Sequence, residues 1–280
     1  MTFYPGIETN RVRVADRTVT WYDSAPEGGR GETIVLVHGT GGTAVNNFWA
    51  LLPMLAMRHR VVAFDFVDPG DETAAHESYV AQARAVVDAV GTDLVHVVGY
   101  SFGAVIAASL TARIPHRVAS LTLVAGWMTT DTHQRLRNTV WQQMYASGHG
   151  ALGTFTLLLG YSRAYLNART PAEIDQLVHN IETGPDRAAK MRYNRTVDIS
   201  AEVATISTPT LVVGCTEDQM VHPGHSKLLF GAIADSRYVE IDSGHAVVHE
   251  RPAELFTIID RFVTEPTAHR AGTTLAAYHP

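Results

Sequence analysis

The chain has 280 residues, 46% hydrophobic and 18% charged, a balance that suits one large domain or a core domain with a sizeable insertion and excludes a disordered chain. A formal charge of −6 with scattered basic residues speaks against nucleic-acid or anionic-membrane partners. The single Cys215 excludes an internal disulfide and a thiol-rich metal site.

No run approaches the ~20 apolar residues that span a bilayer. The first residues, "MTFYPGIETNRVRV", lack the apolar core of a secretory signal, so a cytoplasmic, soluble protein is expected. Lys190 and Lys227 are the only lysines, and this arginine-heavy basic set points to a GC-rich bacterial source.

In "NRVRVADRTVTWYD", Val12 and Val14 alternate with polar residues, then Val19 and Trp21 do the same. The spacing predicts an antiparallel hairpin at a sheet edge. Six short apolar runs follow: Thr33–Val37, Arg60–Phe64, Leu94–Gly99, Ser120–Ala125, Pro209–Gly214 and Ser236–Ile241. Rich in Val, Ile and Leu, they suit parallel strands buried on both faces. Helical patterns separate them over Phe48–Ala56, Ser78–Val90, Phe102–Arg113, His225–Ala232 and Pro252–Val263. Such alternation predicts an α/β fold, a doubly wound, mostly parallel sheet.

Residues 127–206 break the rhythm with helical patterns and no strand-like run, which predicts a helical insertion over the sheet. Thr170, Pro171 and Glu173 mark a helix start there. The core is thus expected at 1–126 and 207–264, with a flexible tail at 265–280.

Gly99-Tyr100-Ser101-Phe102-Gly103 is a G-x-S-x-G pattern between a predicted strand and a predicted helix. Projecting Ser101 above the sheet edge needs a turn so tight that a Cβ two residues to either side would collide with neighbouring chain. The helix opening at Phe102 would aim its N–H groups at a developing oxyanion. Alone, the pattern is equally a serine capping a helix.

Three further segments give context. "VLVHGTGG" (Val35–Gly42) sets a glycine-rich loop after a strand, where the Thr40 N–H can complete an oxyanion hole with that of Phe102; His38 reads as a brace. "LVVGCTEDQMVHP" places Asp218 just past a late strand, where a triad acid is expected, with Glu217 as the alternative. "VEIDSGHAVVHERP" puts His245 in a loop after the last core strand. His245 and His249 have the i, i+4 spacing of a metal-binding helix, but no further ligand completes that site nearby.

Together these four segments resemble the α/β-hydrolase superfamily over about residues 10–126 and 207–264. The resemblance implies an eight-stranded sheet with a helical cap at the insertion. It further implies Ser101 as nucleophile, His245 as general base and acid, and Asp218 orienting the imidazole, in the chain order this fold uses. Serine at the elbow disfavours the dehalogenase and epoxide-hydrolase branches, which carry aspartate there. Two departures, the acidic "DFVDPGDE" loop (Asp65–Glu72) and "SFGA" at the elbow, prevent transfer of a substrate from any subfamily.

The expected reaction is hydrolysis of an ester, lactone or thioester through an acyl-enzyme. The alternatives are another reaction on the same triad (carbon–carbon bond hydrolysis, perhydrolysis, cyclisation or elimination) and a non-catalytic ligand-binding member. Trp127, Met128, Trp141, Met144, Tyr145, Phe155, Leu158 and Tyr161 are candidates for an apolar pocket wall that would take a hydrophobic small-molecule substrate. No metal or organic cofactor is implied, since "HGTGG" has neither the spacing nor the lysine of a phosphate-binding loop. The sequence leaves homo-oligomerisation open.

Overall fold

The computed structural model describes residues 4, 6–25, 31–70 and 73–277. The apolar runs form strands because alternate residues face opposite layers, so each strand needs apolar side chains on both sides. In the strand Thr33–Val37, for example, Ile34 and Leu36 enter one core cluster while Val35 and Val37 enter the other.

In chain order the strands are β1 (Glu8–Val14), β2 (Arg17–Asp23), β3 (Thr33–Val37), β4 (Arg60–Asp65), β5 (Val95–Tyr100), β6 (Val118–Val124), β7 (Thr210–Cys215), β8 (Ser236–Ile241) and β9 (Thr273–Thr274). They lie in the order β1-β2-β4-β3-β5-β6-β7-β8-β9. Only the pairings of β2, with β1 and with β4, are antiparallel. The expected doubly wound α/β sheet is present, with the predicted hairpin at its edge. Helices Ala75–Ala89, Phe102–Arg113 and Pro223–Ala232 back one face; helices Ala44–Phe48, Leu51–Ala56 and Pro252–Thr264 back the other.

Among the described residues the sheet has nine strands, not eight. The ninth comes from the segment expected to be a flexible tail. Thr273 and Thr274 pair in parallel with Arg237 and Tyr238. The Leu275 N–H donates to the Tyr238 carbonyl (2.7 Å), and Arg237 Nε donates to the His269 carbonyl (2.8 Å). The exposed edge of β8 supplies the unpaired backbone groups that hold it. The last residues, 278–280, lie outside the described part.

Helix Phe102–Arg113 is apolar on all sides and buried from Phe102 to Thr111. It comes closest to β5 at Gly99, where a Cβ would lie 2.7 Å from Ala104 Cα and from Ala107 Cβ. Between β6 and β7 the chain passes through helices Thr132–Ala146, Leu152–Gly160, Arg163–Asn167, Pro171–Glu182, Ala188–Tyr193 and Ser200–Val203. Thr170 caps its helix as expected, in a reciprocal capping box with Glu173. The last of these helices sinks Val203 into the main core. Lys190 ion-pairs with Asp68 in the loop after β4, and Asp68 also accepts from Tyr79 Oη at 3.0 Å. Among the described residues no helix is long and apolar enough to cross a membrane.

Candidate active site

The turn after β5 shows why the pentapeptide needs both its glycines. Ser101 sits at φ 56°, ψ −121°, a left-handed conformation few non-glycine residues adopt. The strained backbone is held because the Ser101 N–H donates to the Val124 carbonyl at 2.8 Å and the Ala104 N–H donates to the Ser101 carbonyl at 2.9 Å. A Cβ on Gly99 would lie 2.5 Å from the Gly103 oxygen, and one on Gly103 2.0 Å from the Val37 oxygen. The result is a serine raised above the sheet at the mouth of a helix whose first N–H groups have no intrahelical acceptor. Ser101 does not cap the helix with its side chain.

Two loops from distant strands meet this serine. His245 follows β8, and its Nε2 lies 2.8 Å from Ser101 Oγ; its Nδ1 lies 2.7 Å from Asp218 Oδ2. The carboxylate fixes the tautomer: Nδ1–H donates to Asp218 and Nε2 accepts from the serine hydroxyl. Asp218 is itself pinned, its Oδ1 accepting from the Met220 and Val221 N–H groups, both at 2.8 Å. Tyr100 Oη donates to the His245 carbonyl at 3.0 Å. All three side chains are buried. Glu217 points elsewhere and accepts from the Arg163 N–H at 3.2 Å, so Asp218 is the acid that meets the imidazole. Cys215, the last residue of β7, is buried, and burial pushes its thiol pKa well up.

The glycine-rich loop closes the third side. Gly39 N–H donates to Asn47 Oδ1 at 2.8 Å, and a Cβ on Gly42 would lie 2.2 Å from that same oxygen. His38 braces the loop as expected: Nδ1–H donates to the Gly39 carbonyl (2.8 Å) and Nε2 accepts from the Phe66 N–H (3.1 Å). Burial lowers its pKa to about 4, so it stays neutral. Thr40 Oγ1 accepts from Asn194 Nδ2 at 2.8 Å, so an insertion residue positions the loop.

A cavity of about 180 Å³ opens over Ser101 and His245. Of the eight wall candidates it includes Trp127, Trp141, Phe155 and Tyr161, but not Met128, Met144, Tyr145 or Leu158. Met128 packs against the main core. Tyr145 is half exposed, stacks on Trp141 with centroids 4.9 Å apart and donates to Asp186 at 3.1 Å. Leu158 is turned to solvent, while its neighbour Leu159 lines the cavity. One step along a helix rotates a side chain by about 100°, so of the two candidates on helix Leu152–Gly160 Phe155 faces the cavity and Leu158 does not.

Sequence reasoning also missed polar wall residues: Asn194, Arg137, Arg187 and His249. Burial lowers the pKa of both arginines and of His249. His249 Nε2–H donates to the Asn46 carbonyl (2.9 Å) and its Nδ1 accepts from Tyr161 Oη (2.9 Å). His245 and His249 thus have separate partners, and among the described residues no group of three or more His, Cys, Asp or Glu is arranged to hold a metal.

The fold and this serine turn define the class. A family model of the alpha/beta hydrolase fold matches residues 32–252, and the chain belongs to that family. It is similar to the pyrrolizixenacetamide deacetylase of Xenorhabdus hominickii, 27% identical over 91% of this chain and 97% of that protein. The RutD protein of Azorhizobium caulinodans, whose name is that of a carbamate hydrolase, is 30% identical over 77% of this chain and 84% of its own length. Among solved structures, the enol-lactonase of Burkholderia xenovorans LB400 superposes with a TM-score of 0.76 at 20% identity, covering 91% of this chain and all of that one. The chain is therefore an α/β-hydrolase enzyme.

Proposed function

We propose that this enzyme cleaves an ester, lactone or thioester of a small-molecule substrate through an acyl-enzyme on Ser101. The observation that carries the reading is the unbroken chain Ser101 Oγ–His245–Asp218, with steps of 2.8 and 2.7 Å, opening onto a partly apolar cavity. Neutral His245 takes the serine proton as Oγ attacks the carbonyl carbon. Asp218 stabilises the imidazolium without taking its proton. The tetrahedral oxyanion is held by the Thr40 and Phe102 N–H groups, and His245 then passes its proton to the leaving group. Water, activated by the same histidine, releases the acid and restores Ser101.

The small cavity favours a compact acyl group. Trp127, Trp141, Phe155 and Tyr161 give it apolar walls. A second reading, cleavage at an acyl C–N bond, is favoured by the names of the two sequence relatives, a deacetylase and a carbamate hydrolase. It uses the same residues, with His245 protonating the departing nitrogen.

The test is intact-mass spectrometry of enzyme mixed with 4-nitrophenyl acetate and quenched in acid. The expected result is a single acetyl adduct mapped to Ser101 and absent from Ser101→Ala. Turnover in that variant should fall on the order of 10⁶-fold. Residual turnover within tenfold of wild type would refute the reading.

A further inference from the structure

The wall of the cavity over Ser101 carries two guanidinium groups, Arg137 and Arg187, and no aspartate or glutamate. Elsewhere the chain pairs its buried arginines. Arg60 is held by Asp23 and Arg237 by Asp235. The two in the cavity are treated differently.

Arg187 stands between helices Pro171–Glu182 and Ala188–Tyr193. Its Nη2 donates to the Ile181 carbonyl at 2.6 Å. Among the described residues its Nη1 and Nε have no acceptor, and no carboxylate pairs with it. The group reaches across to the glycine loop: Nη1 lies 3.1 Å, and Cζ 3.4 Å, from where a Cβ of Gly41 would stand. The guanidinium thus lies against Gly41, one position from Thr40, where a side chain would crowd it. Arg137 enters from helix Thr132–Ala146, donates Nη1 to the Met220 carbonyl at 2.7 Å, and buries an Nε that has no acceptor. Two carboxylates act on it through space: Asp218, engaged by His245 and two backbone N–H groups, and Asp131, engaged by His225 and the Gln134 N–H.

A cation taken out of water without a counter-ion is costly, and a bound anion relieves that cost. A bare clamp between insertion and core would spend more of the Arg187 donors on backbone carbonyls. Arg187 instead lines the cavity over Ser101 with Nη1 and Nε unspent, and a planar fork of donors suits a carboxylate. Resting on the acyl-transfer reading above, we propose that the natural substrate carries a carboxylate that Arg187 binds beside the glycine loop, with Arg137 adding to the attraction. The aromatic wall then takes the apolar part between carboxylate and scissile carbonyl.

The test separates binding from turnover. Ser101→Ala protein is titrated calorimetrically with the dicarboxylates from malonate to adipate and with their diamides. We expect at least one dicarboxylate to bind while its diamide does not. Adding Arg187→Gln should weaken that binding roughly tenfold or more, and Arg187→Lys should restore part of it. Circular dichroism and thermal melting verify folding, and the lysine variant keeps the charge if the glutamine variant fails to fold. In the active enzyme, monoethyl succinate should be favoured over ethyl pentanoate in kcat/KM, and Arg187→Gln should collapse that ratio. Absence of dicarboxylate binding, or binding equal with and without Arg187, would overturn the proposal. Charge-selective, Arg187-dependent binding in an enzyme that never acylates Ser101 would uphold the anion site and refute the acyl-transfer reading.

Discussion

A Cβ on Gly103 would stand 2.0 Å from the backbone oxygen of Val37, so it is the bare glycine that lets its helix come this close to the end of β3. That approach brings the helix behind Ser101 against the end of β3, from which the glycine loop departs, and so ties the two halves of the proposed oxyanion hole together. Since the obstacle is backbone, it has no rotamer to escape into.

Gly103→Ala is therefore expected to cost on the order of 4 kcal/mol or to prevent folding. Gly231→Ala is the control, because a Cβ there meets nothing within 4 Å and its helix gains from alanine. Comparing urea midpoints of the two variants checks this; equal stability would contradict it.

Asp218→Asn should lower kcat on the order of 10⁴-fold while the fold survives, because the amide still accepts from Met220 and Val221 but turns the imidazole to the wrong tautomer. Glu217→Gln should leave turnover close to wild type, as Glu217 contacts Arg163 rather than the histidine. Steady-state kinetics on one activated ester decides it. The reverse ranking would move the acid to Glu217.

Asn194→Ala removes the donor that holds Thr40 Oγ1. The loss should fall on kcat, by roughly tenfold, with KM little changed, since the loop serves the oxyanion more than the ground state. A change confined to KM would mean that Asn194 touches substrate rather than positioning the loop.

Stability should fall as the medium is acidified. His38 titrates near 4 in the folded chain and near ~6.5 when unfolded, so between these values only the unfolded chain takes up the proton. Its stabilising contribution is complete above pH ~6.5 and is lost progressively towards pH ~4. Burial lowers His76, His96, His225 and His249 as well, in the same sense. The melting temperature at pH 5 should lie below that at pH 7.5, and His38→Gln should narrow the difference. An equal or higher value at pH 5 would contradict the assignment of neutral buried histidines.

Much of this was legible because local chemistry dictates it. "TIVLV" and "SRYVEI" give β3 and β8 with the ends the structure has. Ser101 and its two glycines satisfy a turn that few other residues fit, and Asp218 and His245 lie just beyond strands whose order the fold fixes. Phe48–Ala56 reads as one helix but is two, the first opened by a capping box between Thr43 and Asn46 that a period count does not register. β9 escaped notice because two residues docked on an exposed edge have no periodicity. The wall was half legible: Phe155 and Leu158 share one helix, and which faces Ser101 depends on how that helix is laid across the sheet. Arg187, in the polar stretch "GPDRAAK", gives no local hint that Gly41 lies beneath it.

The decisive measurement is labelling with a fluorophosphonate probe, mapped by mass spectrometry, on wild-type and Ser101→Ala protein. An activated serine requires the probe on Ser101 in the wild type and no adduct in the variant. A folded wild-type protein that stays unmodified at Ser101, or is modified elsewhere with equal ease in both proteins, would contradict Ser101 as the nucleophile.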